Sequence, residues 1–218
     1  QDTTGIIFWA KRADGSVDRQ ALLTGSSSIY KSLRCTLHLA ALLGEQRDTW
    51  ENAAKKLGHA IRFKPHVFDQ SKSRYAMDWY YPILSGAMKN RRAVDRIDRL
   101  WNRFAIPGWG VRCVSDKPWA TMAETAELAI TLAAMGKFEV AEFVLEWILD
   151  KKYDDGAYWT GVTYPDRTIY TIEKTTWTAA AVLLATDIIY SLSPASHLFS
   201  HGFKKSIQDR PSLVVHER

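Results

Sequence analysis

The sequence predicts an all-α protein assembled from helical-hairpin repeats, on three observations. Four segments align by their small and apolar residues, Ser32–Gly44, Asp78–Asn90, Glu124–Gly136 and Thr175–Asp187, with starts 46, 46 and 51 residues apart. A fixed period of that size marks a repeat architecture. SLRCTLHLAALLG, ETAELAITLAAMG and TTWTAAAVLLATD are apolar around nearly the whole helical circumference, as helices buried on most sides are. Between them run segments with a one-sided apolar stripe at helical spacing: Trp50, Ala53, Ala54, Leu57 and Ile61; Val94, Ile97, Trp101 and Phe104; Val140, Phe143, Val144, Trp147 and Ile148. The first set reads as inner helices and the second as outer helices with one face in water.

The connections are unequal. Inner-to-outer links are short, with Gly44 and Gly136 where a left-handed glycine ends a helix. Outer-to-inner links run to roughly fifteen to twenty residues, a length that is usually functional when it carries no secondary structure. They hold PGWGVR from Pro107, DDGAYW from Asp154 and YPD from Tyr164. Such loops gather at the N-terminal ends of the inner helices, in the field of their dipoles. Pro82 reads as the first residue of its helix. The repeat domain extends over 1–190, and 191–218 reads as a polar tail, rich in Ser, Pro, His and charge. The pattern is already under way at Gln1, so earlier repeats are expected upstream.

Composition agrees with one helical domain: 218 residues, 46% hydrophobic and 24% charged. Cys35 and Cys113 make no disulfide framework and no metal-ligand spacing, and Cys35 reads as a buried free thiol. No apolar run reaches the roughly 18 residues of a membrane span, and no signal peptide is recognised, so a cytoplasmic location is expected. The net charge of +5 invites an anionic partner. Its sharpest element, Arg92, Arg96, Arg99 and Arg103, is interleaved with Asp95 and Asp98 and reads as a solvated mixed-charge face, so nucleic acid is not an expected partner.

FWAKRADGSVD followed by SIYKSLRCTLHLAALLG, and WILDKKYDDGAYW followed by IEKTTWTAAAVLLATD, resemble the repeats of the terpenoid cyclase and protein prenyltransferase superfamily. DWYYP, GVRCVSDKPW, AETAEL, DGAYWTG and EKTTWTAA resemble bacterial proteins labelled prenyltransferase or squalene-cyclase-like, of undefined activity. The resemblance runs from about Phe8 to about Tyr190 and implies an α/α toroid, a partial α/α barrel whose inner helices ring a cavity. It implies a prenyltransferase- or cyclase-like enzyme acting on an isoprenoid or other small molecule. The acidic cluster of hopene-type cyclases is missing, since Asp154 and Asp155 precede a Gly turn that favours Asp for its own sake. The zinc-holding Asp, Cys and His set of the prenyltransferases is missing too.

The loop-to-helix junctions carry the candidate chemistry. Asp78, Trp79, Tyr80 and Tyr81 form one group; Arg112, Asp116, Trp119, Glu124 and Glu127 another; Tyr158, Trp159, Tyr164, Asp166, Glu173 and Trp177 a third. Asp78, Asp116, Glu127, Asp166 and Glu173 are the candidate catalytic carboxylates, and the remainder are candidate substrate contacts. Aromatic faces beside a carboxylic acid suit carbocation chemistry. They equally suit a carbohydrate site, with rings stacked on sugars and two carboxyls acting across a glycosidic bond. A third reading is a non-catalytic helical-repeat binding protein. Thr121 and Glu124 also fit a capping box, and Glu173 a helix-dipole role. Glu127 stands out because it lies one turn inside an apolar helix, where a charge is costly without a partner. No metal site and no cofactor are predicted, with a divalent metal left open, and a small molecule is the expected partner.

Overall fold

The structure, a computed structural model, describes residues 1–201. These residues fall into two compact units, Gln1–Arg99 and the described residues from Leu100 on.

The first unit opens with a two-stranded ribbon, β1 (Ala10–Lys11) and β2 (Val17–Asp18), then α1 (Leu23–Leu42), α2 (Asp48–Phe63), two short 3₁₀ turns, and α3 (Ala76–Leu84). Helix α1 packs on α2 and α3, and Ile6, Leu23, Leu57, Ile61 and Phe68 form the centre of the core. Only one side of α1 is covered. Leu39 and Leu42, with Leu43 just beyond the helix, stand well exposed, so the expectation of a helix buried on most sides fails here. The helix also begins nine residues earlier than the aligned repeat, at Leu23. Cys35 is half-buried, not buried.

Helix α4 (Asn90–Phe104) is amphipathic as its stripe predicts, with Ile97 and Phe104 buried. Its Arg96 is a correction to the solvated-face reading. The guanidinium lies partly buried, donating from Nε to the Trp79 carbonyl at 2.8 Å and from Nη2 to the Asp78 carbonyl at 2.7 Å. Those carbonyls belong to α3, whose Pro82 lies near the C-terminal end of the helix and not at its start. A proline there removes the N–H that the carbonyl four residues earlier, Asp78, would accept. Arg96 supplies the missing donor from outside, and the Trp79 indole returns a bond to the Arg96 carbonyl at 3.1 Å.

In the second unit, α5 (Met122–Ala134), α6 (Phe138–Glu146) and α7 (Thr176–Tyr190) pack together. Helix α5 is the buried inner helix that its sequence predicts, with Leu128, Ala129, Ile130, Leu132, Ala133 and Ala134 all excluded from water. The core face of α6 is Ala141, Val144 and Leu145, continued by Trp147 and Ile148, while the expected stripe members Val140 and Phe143 are exposed. Both expected glycine stops are present. Gly44 and Gly136 have φ of 72° and 79°, and the amides of Glu45 and Lys137 reach back to Ala40 and Leu132 at 2.9 Å each. This closure satisfies carbonyls that a helix end leaves without donors.

The all-α expectation is corrected by a four-stranded antiparallel sheet in the second unit. It consists of β3 (Ala105–Ile106), β4 (Gly110–Arg112), β5 (Trp119–Thr121) and β6 (Gly161–Thr163), in that order. The long links therefore do not run as open loops: their backbone groups pair with one another, as buried peptide groups must. Gly161 is fixed by close approach, because a Cβ there would collide with the Trp119 indole and the Ala120 carbonyl. The tail begins docked, with the Ser193 amide and hydroxyl both on the Asp187 carboxylate at 2.7 and 2.8 Å. From 202 onward it lies outside the described residues. Among the described residues no helix is long and apolar enough to cross a membrane.

Replacing Arg96 with Ala strands the Asp78 carbonyl and removes a second bond to the Trp79 carbonyl, and is expected to cost about 2 kcal/mol, a fall of roughly 4–8 °C in thermal midpoint. Pro82→Ala in that background returns a backbone donor to the Asp78 carbonyl and is expected to recover about 1 kcal/mol. Thermal unfolding of the two single variants and the double variant checks both.

Candidate functional site

In the first unit, Asp78 sits in the first turn of α3 and is almost fully buried. Its Oδ1 accepts from the Thr24 hydroxyl at 2.6 Å and, more weakly, from the Thr24 amide at 3.3 Å. Burial pushes its pKa up, against the Thr24 hydrogen bonds and the Arg96 charge that oppose the rise. Trp79 and Tyr80 are buried beside it in the sequence, their rings edge-on with centroids 6.3 Å apart, and Tyr81 tilts against Tyr80 at 5.5 Å. Only Tyr81 of this aromatic set keeps partial exposure.

In the second unit, β4 and β5 deliver residues to the start of α5. Thr121, the N-cap residue, donates its hydroxyl to the Glu124 carboxylate and makes no capping bond to the helix backbone. Glu124 thus holds a side-chain contact, and the capping box expected of Thr121 is not formed. Cys113, just after β4 and tied to the Trp119 carbonyl through its amide at 3.1 Å, completes the cluster. Burial first, then the charge of Glu124 and a hydrogen bond to it, then Glu127, push the thiol up to about 12. A thiol, a hydroxyl and two half-buried carboxylates therefore converge where the sheet meets α5. Glu124 and Glu127 are neighbours on one face of the helix, three residues apart.

The other expected contacts disperse. Trp119 lies over Gly161, its indole N–H on the Tyr170 carbonyl and its ring edge-on to Tyr170 with centroids 5.8 Å apart. Tyr164 packs against Trp109 at 6.0 Å, and the Trp109 ring carries Lys151 and Arg167 within 5.0 and 4.7 Å of its centroid. Cations so placed are held by the ring quadrupole. Arg112 is half-buried in β4; Asp116 and Asp166 are exposed in turns. Trp159 is half-buried, with its amide on the Lys151 carbonyl at 3.0 Å. Glu173 is exposed, and its carbonyl receives the Thr160 hydroxyl at 3.1 Å. Trp177 is 62% exposed at the second residue of α7.

A cleft of about 460 Å³ opens between the Gly156–Tyr158 turn and one side of α7. Asp155 caps its own turn through the Ala157 amide at 3.2 Å, as the Asp-Gly signal predicts, and pairs with Lys174 just ahead of the helix. Those two partners, Lys174 foremost, hold its carboxyl below the usual range. The cleft and the carboxylate cluster share one end of the unit: Thr121 pairs with Gly161 across the sheet, and Thr160 bonds to Glu173 near the start of α7. Sequence reasoning missed Cys113, Thr24 and the apolar cleft wall Ala179, Val182 and Leu183. No signal in the sequence pointed to the cysteine, which reaches the site only through the pairing of β4 with β5. Among the described residues no three His, Cys, Asp or Glu side chains are grouped to hold a metal ion.

No family model matches the chain. It is 45% identical over 195 residues to a curated protein of Mycolicibacterium hassiacum named MMP endo-(1,4)-3-O-methyl-alpha-D-mannosidase, a match covering 89% of this chain and 54% of the relative. The chain spans about half the length of the curated relative it matches. This finding overturns the terpenoid cyclase and prenyltransferase resemblance, since the relative's name is that of a glycosidase and not of a transferase or cyclase. The isoprenoid substrate falls with it.

Two outcomes follow from the titrating groups. A carboxyl with a raised folded-state pKa binds its proton more tightly in the fold, so the contribution of Asp78 to stability is fullest in acid and declines as pH climbs from the ordinary Asp range through the raised value. Asp78→Asn keeps the acceptor for Thr24 and is expected to flatten that decline in a pH series of denaturant midpoints. Cys113 is expected to resist iodoacetamide at pH 8 in the native protein, and Glu124→Ala to quicken its alkylation at least severalfold, by site-resolved mass spectrometry.

Proposed function

We propose that this chain belongs to a glycoside hydrolase that cleaves within α-(1,4)-linked mannose chains bearing 3-O-methyl groups, its helical hairpins arranged as part of an α/α barrel. The observation that carries the reading is the 45% identity, sustained over 195 residues, to a protein of that name. It favours the carbohydrate alternative already open from the junction residues.

Glu124 and Glu127 are the carboxyls assigned to the chemistry. A glycosidase needs one carboxyl to protonate the departing sugar oxygen and another to act as base or nucleophile. Glu124 accepts hydrogen bonds from Thr121 and Cys113, which suits a carboxylate held as an acceptor. Glu127, half-buried one turn further along α5, takes the proton-donor role. Trp119, Tyr158 and Trp177 supply ring faces at the same end of the unit, the kind of surface on which the apolar face of a sugar packs. Arg112 is the nearby cation for hydroxyl groups. Asp78, engaged by Thr24 in the first unit, is not assigned a proton-transfer step.

Glu127→Gln and Glu124→Gln are each expected to lower kcat on a 3-O-methylated α-(1,4)-manno-oligosaccharide by about 10²–10⁴-fold, with thermal midpoints within roughly 2 °C of the parent. Reducing-end release measures the first and calorimetry the second. Unchanged turnover in both variants would remove the pair from the reaction.

A further inference from the structure

Helix α7 is apolar without being amphipathic, and part of what it exposes forms one wall of the 460 Å³ cleft. That wall consists of Ala179, Val182 and Leu183, the last 69% exposed. The threonines among them offer less hydroxyl than their number suggests. Thr186 donates to the Val182 carbonyl at 2.8 Å, and Thr175 shares a 2.6 Å hydrogen bond with Thr178. The Thr175 and Thr186 hydroxyls are thus already engaged on or beside the helix and offer a ligand less hydrogen bonding. The facing wall is Ala157 and the Tyr158 ring, over which the Lys152 ammonium sits at 4.9 Å. Asp155 links the two walls, bonded to its own turn on one side and to Lys174 on the other.

A trough of this composition discriminates between sugars by what it fails to offer. A mannose residue carrying free hydroxyls would leave several of them facing methyl groups, and a buried hydroxyl without a partner is unfavourable. A methyl ether has no hydrogen to place and gains from apolar contact. Thr176, at the first position of α7, and the Lys174 ammonium lie at the rim for the hydroxyls that remain. The volume falls in the range of small-molecule sites.

We propose that the cleft between the Gly156–Tyr158 turn and α7 is a sugar subsite that selects 3-O-methylated over unmethylated mannose, with Leu183, Val182 and Ala179 receiving the methoxy group. The subsite rests on the glycosidase reading above and adds to it the residues that set specificity. Discrimination by a single methyl-sized group in an apolar pocket is about tenfold or more.

The test compares methyl-capped α-(1,4)-mannobiose with its di-3-O-methyl counterpart, by titration calorimetry and by turnover, in the parent chain and in Leu183→Ser and Ala179→Phe variants. The exposure of Leu183 makes the serine variant structurally mild, and circular dichroism checks both folds. The expected result is at least tenfold preference for the methylated sugar in the parent, a ratio near one in Leu183→Ser, and loss of both ligands when Ala179→Phe fills the trough. Binding that persists with an unchanged ratio in Leu183→Ser overturns the subsite while leaving the glycosidase reading intact. Failure of the parent to bind or cleave either sugar overturns the glycosidase reading and the subsite with it. A mass that doubles with concentration in the parent and not in Leu183→Ser assigns the apolar face to a second copy of the chain and also overturns the proposal.

Discussion

The Arg96 guanidinium is the contact on which the first unit's arrangement of α3 and α4 depends. Pro82 deprives α3 of a backbone bond in its last turns, and the Asp78 carbonyl would otherwise lack its donor, while the Trp79 carbonyl gains a second one. One planar fork bonds both, and the Trp79 indole bonds α4 in return. Two helices are locked by three hydrogen bonds of fixed direction, and the clamp holds the Asp78 turn where Thr24 can reach it. A lysine, with a single nitrogen, could not serve both carbonyls in one plane.

The second unit solves a related problem with strands. An inner helix as apolar as α5 must be surrounded, and the links that lead into it and out of its neighbours do part of that covering as β4, β5 and β6. The same sheet carries Cys113 to the helix start and places the Trp119 indole on Gly161. Covering the helix and furnishing its polar end are thus one construction, which is why the chemistry-bearing residues lie at the seam between sheet and helix.

What the sequence made legible was local. Gly44 and Gly136 announce their conformation because few other residues adopt it cheaply, and α5 announces its burial through an unbroken Ala and Leu surface. The strands were illegible because runs of two or three residues are too short for alternation to register. Pro82 was misplaced because its compensation lies fourteen residues away in another helix. Glu127 was legible as a carboxylate out of place and Glu124 only as a cap or a substrate contact, whereas Cys113 needed the β4–β5 pairing to reach them. The superfamily resemblance captured an arrangement of hairpins, and an arrangement shared by many chemistries fixes none of them.

The Asp155–Lys174 pair has a consequence for how the cleft responds to its medium. Both side chains are about half exposed, so the attraction between them is screened as ionic strength rises, with a reach of about 8 Å under physiological salt and much less in concentrated brine. The cleft walls are apolar, and apolar contacts by themselves strengthen in salting-out media. Rising salt therefore loosens the pair that spans the trough while it strengthens apolar contact with the walls, and these opposed effects on an uncharged ligand give it an optimum ionic strength.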